Sequence, residues 1–151
     1  MKRLKDVMKD EQGLTLVELL AVVVILAVIL GIGAVGIGTV IQNAREDGQV
    51  AAIQQVMAAA QVYDAQNATD ETKAWVTDAP VDAQKLITDG LLKAVTFADS
   101  AKIIVTKDAN GVLSIAVADD ALLAGKKKNK AHTVNDKQIS SLKRADFKFA
   151  E

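Results

Sequence analysis

The chain has 151 residues, of which 50% are apolar but only 3% are aromatic, so alanine and aliphatic side chains supply most of its hydrophobicity. Its 18 basic residues are balanced by 19 acidic ones, which argues against strong nucleic-acid binding through overall charge. The absence of cysteine excludes disulfides, cysteine-ligated zinc sites and cysteine nucleophiles.

Residues 1–13 form a short polar leader that ends at Gly13. We predict no stable structure for it. Four of its residues are basic: Lys2, Arg3, Lys5 and Lys9. By the positive-inside rule this charge places the leader in the cytoplasm, so the chain after residue 41 lies outside the membrane.

An apolar run follows the leader, and residues 19–41 contain no charged side chain. This is long enough to cross a bilayer core as a helix, which takes about 20 apolar residues. It also exceeds the core of about 7–15 residues found in secretory signal peptides. One acid, Glu18, stands at the start of the run. Acids near a bilayer are costly, so Glu18 is a candidate functional residue.

The sequence GLTLVE at residues 13–18, between a charged leader and a spanning run, resembles the class III signal of type IV prepilins. The resemblance implies that a prepilin peptidase cuts between Gly13 and Leu14. It also implies N-methylation of the new N-terminal residue, Leu14, where the family usually has phenylalanine. Glu18 matches the family's acid at the fifth mature position, which implies a role in filament assembly. There it would pair with the cationic amino terminus of a neighbouring subunit.

Residues 14–66 are predicted to form one long helix. Its first part, residues 14–41, is apolar all round, as is typical of a helix embedded in lipid. The continuation, residues 42–66, is amphipathic. Its apolar face is formed by residues three and four apart: Ile53, Val56, Met57, Ala60 and Tyr63.

Four glycines interrupt the apolar part of this helix: Gly31, Gly33, Gly36 and Gly38. Each costs about 1 kcal/mol relative to alanine in a helix interior. One interpretation is close helix packing in the membrane, which small residues permit. The other follows from the resemblance, because type IV pilins often carry a helix-breaking proline in this region. The glycines would then be the weak points of the helix.

Residues 67–151 are predicted to form a globular domain with a small antiparallel sheet that packs on the helix, so the fold class is α+β. Asp78 and Pro80 predict the start of a short helix over residues 81–89, with Gly90 as its stop. Residues 102–107 and 112–117 are rich in β-branched side chains. The DANG sequence between them predicts a hairpin.

The rest of this domain gives weaker patterns. We predict a helical turn in residues 119–125 and a third strand between His132 and Ile139. Two alternatives for the second region are a hairpin around residues 135–136 and a helix capped by Asn135. Alternation of Phe147 and Phe149 predicts a final edge strand.

Residues 126–132 contain a basic cluster: Lys126, Lys127, Lys128, Lys130 and His132. Contact with DNA phosphates is one interpretation, but no aromatic side chain is interleaved to stack on bases, so a solvated loop is favoured. Asp108 and Asn110 offer too few oxygens for calcium, which takes six or more. We find no catalytic motif, cofactor motif or metal-ligand motif and expect a non-enzymatic protein.

These patterns favour a structural subunit, the major pilin of a type IV pilus, which is first a single-pass precursor in the cytoplasmic (inner) membrane and then part of a surface filament. The implied partners are further copies of the chain, prepilin peptidase, the assembly machinery and minor pilins. A pseudopilin of a type II secretion or DNA-uptake system is the first alternative. A signal-anchored extracytoplasmic binding module that never polymerises is the second.

Overall fold

A computed structural model describes residues 2–69, 75, 79–93 and 95–150, with the side chains of residues 2–14 and 35 excepted. The first element is helix α1, Lys2–Asn67. Its end agrees with the predicted one to within a residue. The prediction that the leader has no stable structure is wrong, because α1 includes it. The leader has no proline and no glycine before Gly13, and extending a helix that is already nucleated costs little.

The chain divides into two compact units, Met1–Ile41 and Gln42–Glu151. In the first unit every described side chain is exposed. This unit therefore has no apolar core among its described residues.

The second unit has a core to which α1 contributes one face. Ile53, Val56 and Ala60 are completely buried and Met57 is nearly so, while Tyr63 packs at the margin of the same cluster. The predicted apolar face of the amphipathic part is thereby confirmed.

The described residues of this unit also form six short strands and one further α-helix. In chain order they are β1 (Val81–Asp82), α2 (Ala83–Thr88), β2 (Ile103–Lys107), β3 (Leu113–Val117), β4 (Leu123–Ala124), β5 (Lys127–Lys128) and β6 (His132–Asn135). The main sheet is antiparallel with the order β1-β2-β3-β6, and β4 and β5 form a separate hairpin. Alternate side chains of the main sheet join the buried cluster that includes α1. The predicted α+β fold, a long helix with a small antiparallel sheet, is confirmed.

The β2–β3 hairpin matches its prediction. Ile104 is paired with Ala116, and the next pair is Val105 with Ile115. In the turn, the Asp108 carboxylate accepts hydrogen bonds from the backbone N–H groups of residues 110 and 112 at 2.9 and 2.8 Å. These bonds hold the pKa of Asp108 below its ordinary value, the bond from residue 112 contributing most. Gly111 has φ +80°, which a side chain would disfavour.

Helix α2 starts later than predicted. Val81 and Asp82 pair with β2 as a strand, so the helical hydrogen bonds begin only after them. The Asp82 side chain caps α2 by accepting a hydrogen bond from the Lys85 backbone N–H at 2.7 Å. The predicted cap, Asp78, lies outside the described residues. Gly90 stops the helix as predicted, with φ +75°.

Residues 119–125 do not form the predicted helical turn. Asp120 has φ 60°, and the last residues of the segment belong to β4 and its turn. Asn129, which follows this segment in the chain, explains why no helical turn forms. The buried Asn129 side chain accepts a hydrogen bond from the Leu122 backbone N–H at 2.8 Å and donates one to the Ala118 carbonyl at 2.9 Å. Those backbone groups are therefore satisfied without a helix.

Strand β6 confirms the third strand expected between His132 and Ile139. After it, the Asn135 side chain accepts a hydrogen bond from the backbone N–H of residue 138 at 3.0 Å, before a short 3-10 turn at Ile139–Ser141. This is nearer to the capped-helix alternative than to the second hairpin. The predicted final edge strand does not form, because Phe147 ends another 3-10 turn and is fully buried, and Lys148 adopts φ 45°. The described part of this segment keeps one antiparallel bridge, between Ala150 and Lys128 of β5.

Candidate functional site

The most exposed apolar surface of the molecule lies on the first unit. Among the described residues, all but two of the exposed large apolar side chains lie between Leu16 and Ile41. Soluble monomers rarely expose more than a few hundred Å² of contiguous apolar surface. By length and composition this stretch of α1 suffices to cross a membrane, with a mean hydropathy of 3.0 in its most apolar window. It needs a cover of lipid or of other apolar helices.

Glu18 lies at the beginning of this apolar surface and is exposed. No described side chain forms a salt bridge with it. Helical spacing places Leu14 and Glu18 on the same face one turn apart, since residues four apart are neighbours on a helix. The backbone of Gly13 and Leu14 lies in α1, and the side chain of Leu14 is outside the described set.

The four glycines of the apolar run lie in α1 with open space around them. A Cβ added at Gly31, Gly33, Gly36 or Gly38 would meet no atom within 4 Å. The packing of the described chain therefore does not require glycine at these positions. Both interpretations of the glycines, close approach by another helix and local weakness of α1, stay predictions.

A polar junction between α1 and the β4–β5 hairpin, in the second unit, was not predicted from the sequence. Glu46 is one of the two polar or charged residues in the buried set. Its Oε1 accepts hydrogen bonds from Gln42 Nε2 at 3.0 Å and from Lys127 Nζ at 3.3 Å. Gln42 Nε2 also donates to the Ala124 carbonyl at 2.9 Å. The four-residue spacing of Gln42 and Glu46 can be read from the sequence. The contact of Glu46 with Lys127, 81 residues later, cannot.

This junction keeps Glu46 ionised. Burial works against its charge, but the hydrogen bonds from Gln42 and Lys127 and the nearby cations outweigh burial and lower the pKa of Glu46. Helix α1 holds Glu46 and strand β5 holds Lys127, so the fold fixes both sides of their contact. We therefore interpret this contact as structural.

The predicted basic cluster is divided by the fold. Lys127 binds Glu46, and Lys128 lies 3.3 Å from Asp120. His132 packs edge-on against Phe147 with ring centres 5.4 Å apart. Lys126 and Lys130 are exposed. Part of the cluster therefore lies in strands β5 and β6 and not in the predicted loop, while the side chains of Lys126, Lys128 and Lys130 are exposed as predicted.

Among the described residues no three His, Asp or Glu side chains come together as metal ligands would. One protein-family model matches the chain: residues 8–38 match the model described as the prokaryotic N-terminal methylation motif. The chain carries a type IV prepilin-like signal. The matched range of this prepilin-like signal contains Gly13, Leu14, Glu18 and all four glycines of the apolar run. It supports a type IV pilin-like or pseudopilin protein. Searches of curated proteins and of solved structures found no match to the chain.

Proposed function

We propose that this chain is the major structural subunit of a type IV pilus. The observation that carries the proposal is the prepilin-like signal, followed without a break by an apolar helix whose described side chains are all exposed. A helix of this kind serves two successive purposes. It anchors the precursor in the cytoplasmic (inner) membrane, and it packs among identical helices once the subunit enters a filament.

The proposed processing follows from the position of the signal. Prepilin peptidase cuts between Gly13 and Leu14, and the freed amino group of Leu14 is methylated. Glu18 of one subunit then pairs with the Leu14 terminus of a neighbour. The role is structural and not catalytic, and the partners are other copies of the chain, minor pilins and the assembly machinery.

N-terminal sequencing and mass measurement of sheared surface filaments test this function. We expect the protein in the filaments to begin at Leu14 and to carry one methyl group on its amino terminus. Full-length chain in the filaments, or an unmethylated terminus, would contradict the proposed processing.

The Gly13→Val variant supplies the matched control, because its added side chain is expected to obstruct the peptidase. Precursor should accumulate in the membrane, and filaments should be lost. Mature protein of normal size from this variant would show that the cut does not depend on Gly13.

Deletion of the gene separates a pilin from a pseudopilin. Loss of surface filaments is expected for a major pilin. Loss of secretion or of DNA uptake from cells that keep their filaments would instead identify a pseudopilin.

A further inference from the structure

The tip of the β4–β5 hairpin lies against α1 where the apolar run ends. Gly125 is in the two-residue turn of the hairpin, and a Cβ added to it would stand 3.1 Å from Gln42 Oε1 and 2.8 Å from Arg45 Nη1. Gln42 directly follows Ile41 in the chain, and consecutive Cα atoms are about 3.8 Å apart. The hairpin tip is thus tied to the first residues beyond the apolar run.

This tip is rich in uncompensated positive charge. Arg45 and Lys126 are exposed, and neither forms a salt bridge with any described residue. Lys127 is neutralised by Glu46 beneath it. Asp47, the next carboxylate along α1, lies 3.6 Å from Arg144. Two cations are therefore left facing solvent.

The β4–β5 hairpin also carries an exposed apolar side chain. Leu123 of β4 is 43% exposed and, apart from Val62, is the only exposed large apolar side chain described outside the apolar run. Leu123 and Lys126 belong to the same hairpin, three residues apart, and Arg45 lies against its turn. A hairpin that presents cations and an exposed aliphatic group matches the chemistry of a lipid headgroup region, where phosphates meet acyl chains.

We propose that this tip, formed by Arg45, Leu123 and Lys126, binds the anionic phospholipid headgroups of the membrane that holds the apolar run. The contact holds the second unit against the bilayer before the subunit is assembled. It goes beyond the proposed filament role and requires only the membrane-inserted chain.

The short distance between the hairpin tip and the end of the apolar run favours a membrane surface over other anionic partners. The charge of a membrane surface is felt within about one Debye length, about 8–10 Å at physiological salt, and each basic residue in that layer adds attraction. Gln42 directly follows the apolar run, so residues in contact with Gln42 lie close to the charged surface of the membrane that holds this run. DNA would need a longer basic track, and Lys128 is already engaged by Asp120.

A single-cysteine probe can test the contact because the chain has no cysteine of its own. The full-length chain with Leu123→Cys carries an environment-sensitive fluorophore and is placed in nanodiscs of phosphatidylcholine, with or without one third phosphatidylglycerol. Co-elution of chain and disc establishes insertion separately. We expect the probe to shift to the blue and to be quenched by headgroup-proximal doxyl lipid in the anionic discs, and to do so far less in the neutral ones.

Two comparisons make the result specific. A label on Asn110→Cys, in the exposed β2–β3 turn, should respond equally weakly in both kinds of disc. Adding Arg45→Gln, Lys126→Gln or both to the Leu123 probe should weaken the contact about fivefold per lost cation. Trp75 fluorescence, from a residue only 9% exposed, checks that each variant stays folded.

Four results would overturn the proposal. They are equal quenching of the Leu123 probe in neutral and anionic discs, a response that survives the double glutamine variant, a response that follows the number of chains per disc instead of lipid charge, and a probe that responds to duplex DNA but not to phosphatidylglycerol. The third result would assign the surface to a second copy of the chain.

Discussion

At the scale of single residues, Glu46 shows how a buried charge couples the fold to pH. Its pKa is lower in the folded chain than in the unfolded one, so the folded state holds fewer protons in the acid range. The stability that it contributes is therefore present above its unfolded pKa, about 4.3, and is lost as pH falls through the lower folded value.

Glu46→Gln should remove this part of the acid sensitivity. At neutral pH the variant should be less stable by about 1–2 kcal/mol, since a charged hydrogen bond to Lys127 is lost while the bond to Gln42 can persist. The urea midpoint, followed by Trp75 fluorescence, should fall less steeply between about pH 5 and pH 3 than in the parent chain. Asp47→Asn, at the neighbouring exposed carboxylate, is the control. An unchanged pH profile for Glu46→Gln would show that this carboxylate is not the coupled group.

Gly125 and Gly90 form a matched pair for the backbone of the second unit. Both have positive φ, 69° and 75°, but an added Cβ meets neighbours only at Gly125. Gly90→Ala should destabilise by about 1 kcal/mol through backbone strain alone. Gly125→Ala should cost more, because the Arg45 and Gln42 side chains must also move. Equal urea midpoints for the two variants would mean that the hairpin adjusts without cost.

At the scale of elements, local chemistry made some parts of the fold predictable. The α1 face through Ile53 and Val56 follows helical periodicity, and the β2–β3 hairpin follows the β-branched runs around Asp108 and Gly111. In each case the residues that decide the structure lie within a few positions of one another. Gly90 likewise ends α2 through its own φ angle.

The elements that escaped prediction depend on distant partners. Strands β4 and β5 have two residues each, too few for a period, and Asn129 fixes the preceding loop through the backbone of Ala118 and Leu122. The Phe147 side chain is buried in the core, so it does not take part in the alternating pattern that predicted an edge strand. Of the candidate site, the prepilin-like signal was readable because it is a contiguous motif, whereas the Glu46–Lys127 contact joins residues far apart in sequence.

The glycine positions of α1 give a prediction at this scale. If they are weak points, amide hydrogen exchange over residues 31–38 should be faster than over residues 22–29 in the detergent-solubilised chain. Replacing Gly31, Gly33, Gly36 and Gly38 by alanine should slow the exchange of residues 31–38. The expected factor is about fivefold for each glycine at which exchange occurs by local opening of the helix. Gly48→Ala, in the same helix and also without neighbours within 4 Å, should leave residues 31–38 unchanged. Uniform exchange along α1 in the parent would leave close packing as the reason for the glycines.

At the scale of the whole molecule, the division into two units separates two kinds of stability. The second unit, Gln42–Glu151, carries a buried core of its own. The first, Met1–Ile41, leaves its described side chains exposed and depends on lipid or on other copies for burial. Assembly into the proposed filament would therefore replace one cover of the apolar run, lipid, by another, neighbouring helices. Aliphatic contacts with lipid and with neighbouring helices are similar in free energy. Polar groups would therefore have to stabilise the filament relative to the membrane-embedded subunit.

Glu18 is the described acid at the start of the apolar run, and we expect Glu18→Ala to remove its contribution to assembly. In the proposed pathway cleavage would precede any contact with a neighbouring amine, and a neutral side chain at position 18 makes insertion cheaper, so insertion and cleavage should both persist. In the packed bundle the cationic Leu14 terminus would then lack its partner, which costs several kcal/mol in a low-dielectric surrounding. Mature subunits should accumulate in the membrane while filaments are few or absent. Glu18→Asp, which keeps the charge but is one methylene shorter, should give an intermediate yield.

The measurement compares filament yield in the sheared fraction with the membrane pool of mature protein. A parental yield of filaments from Glu18→Ala would rule out charge pairing as the force that selects the filament, even if the chain is a pilin.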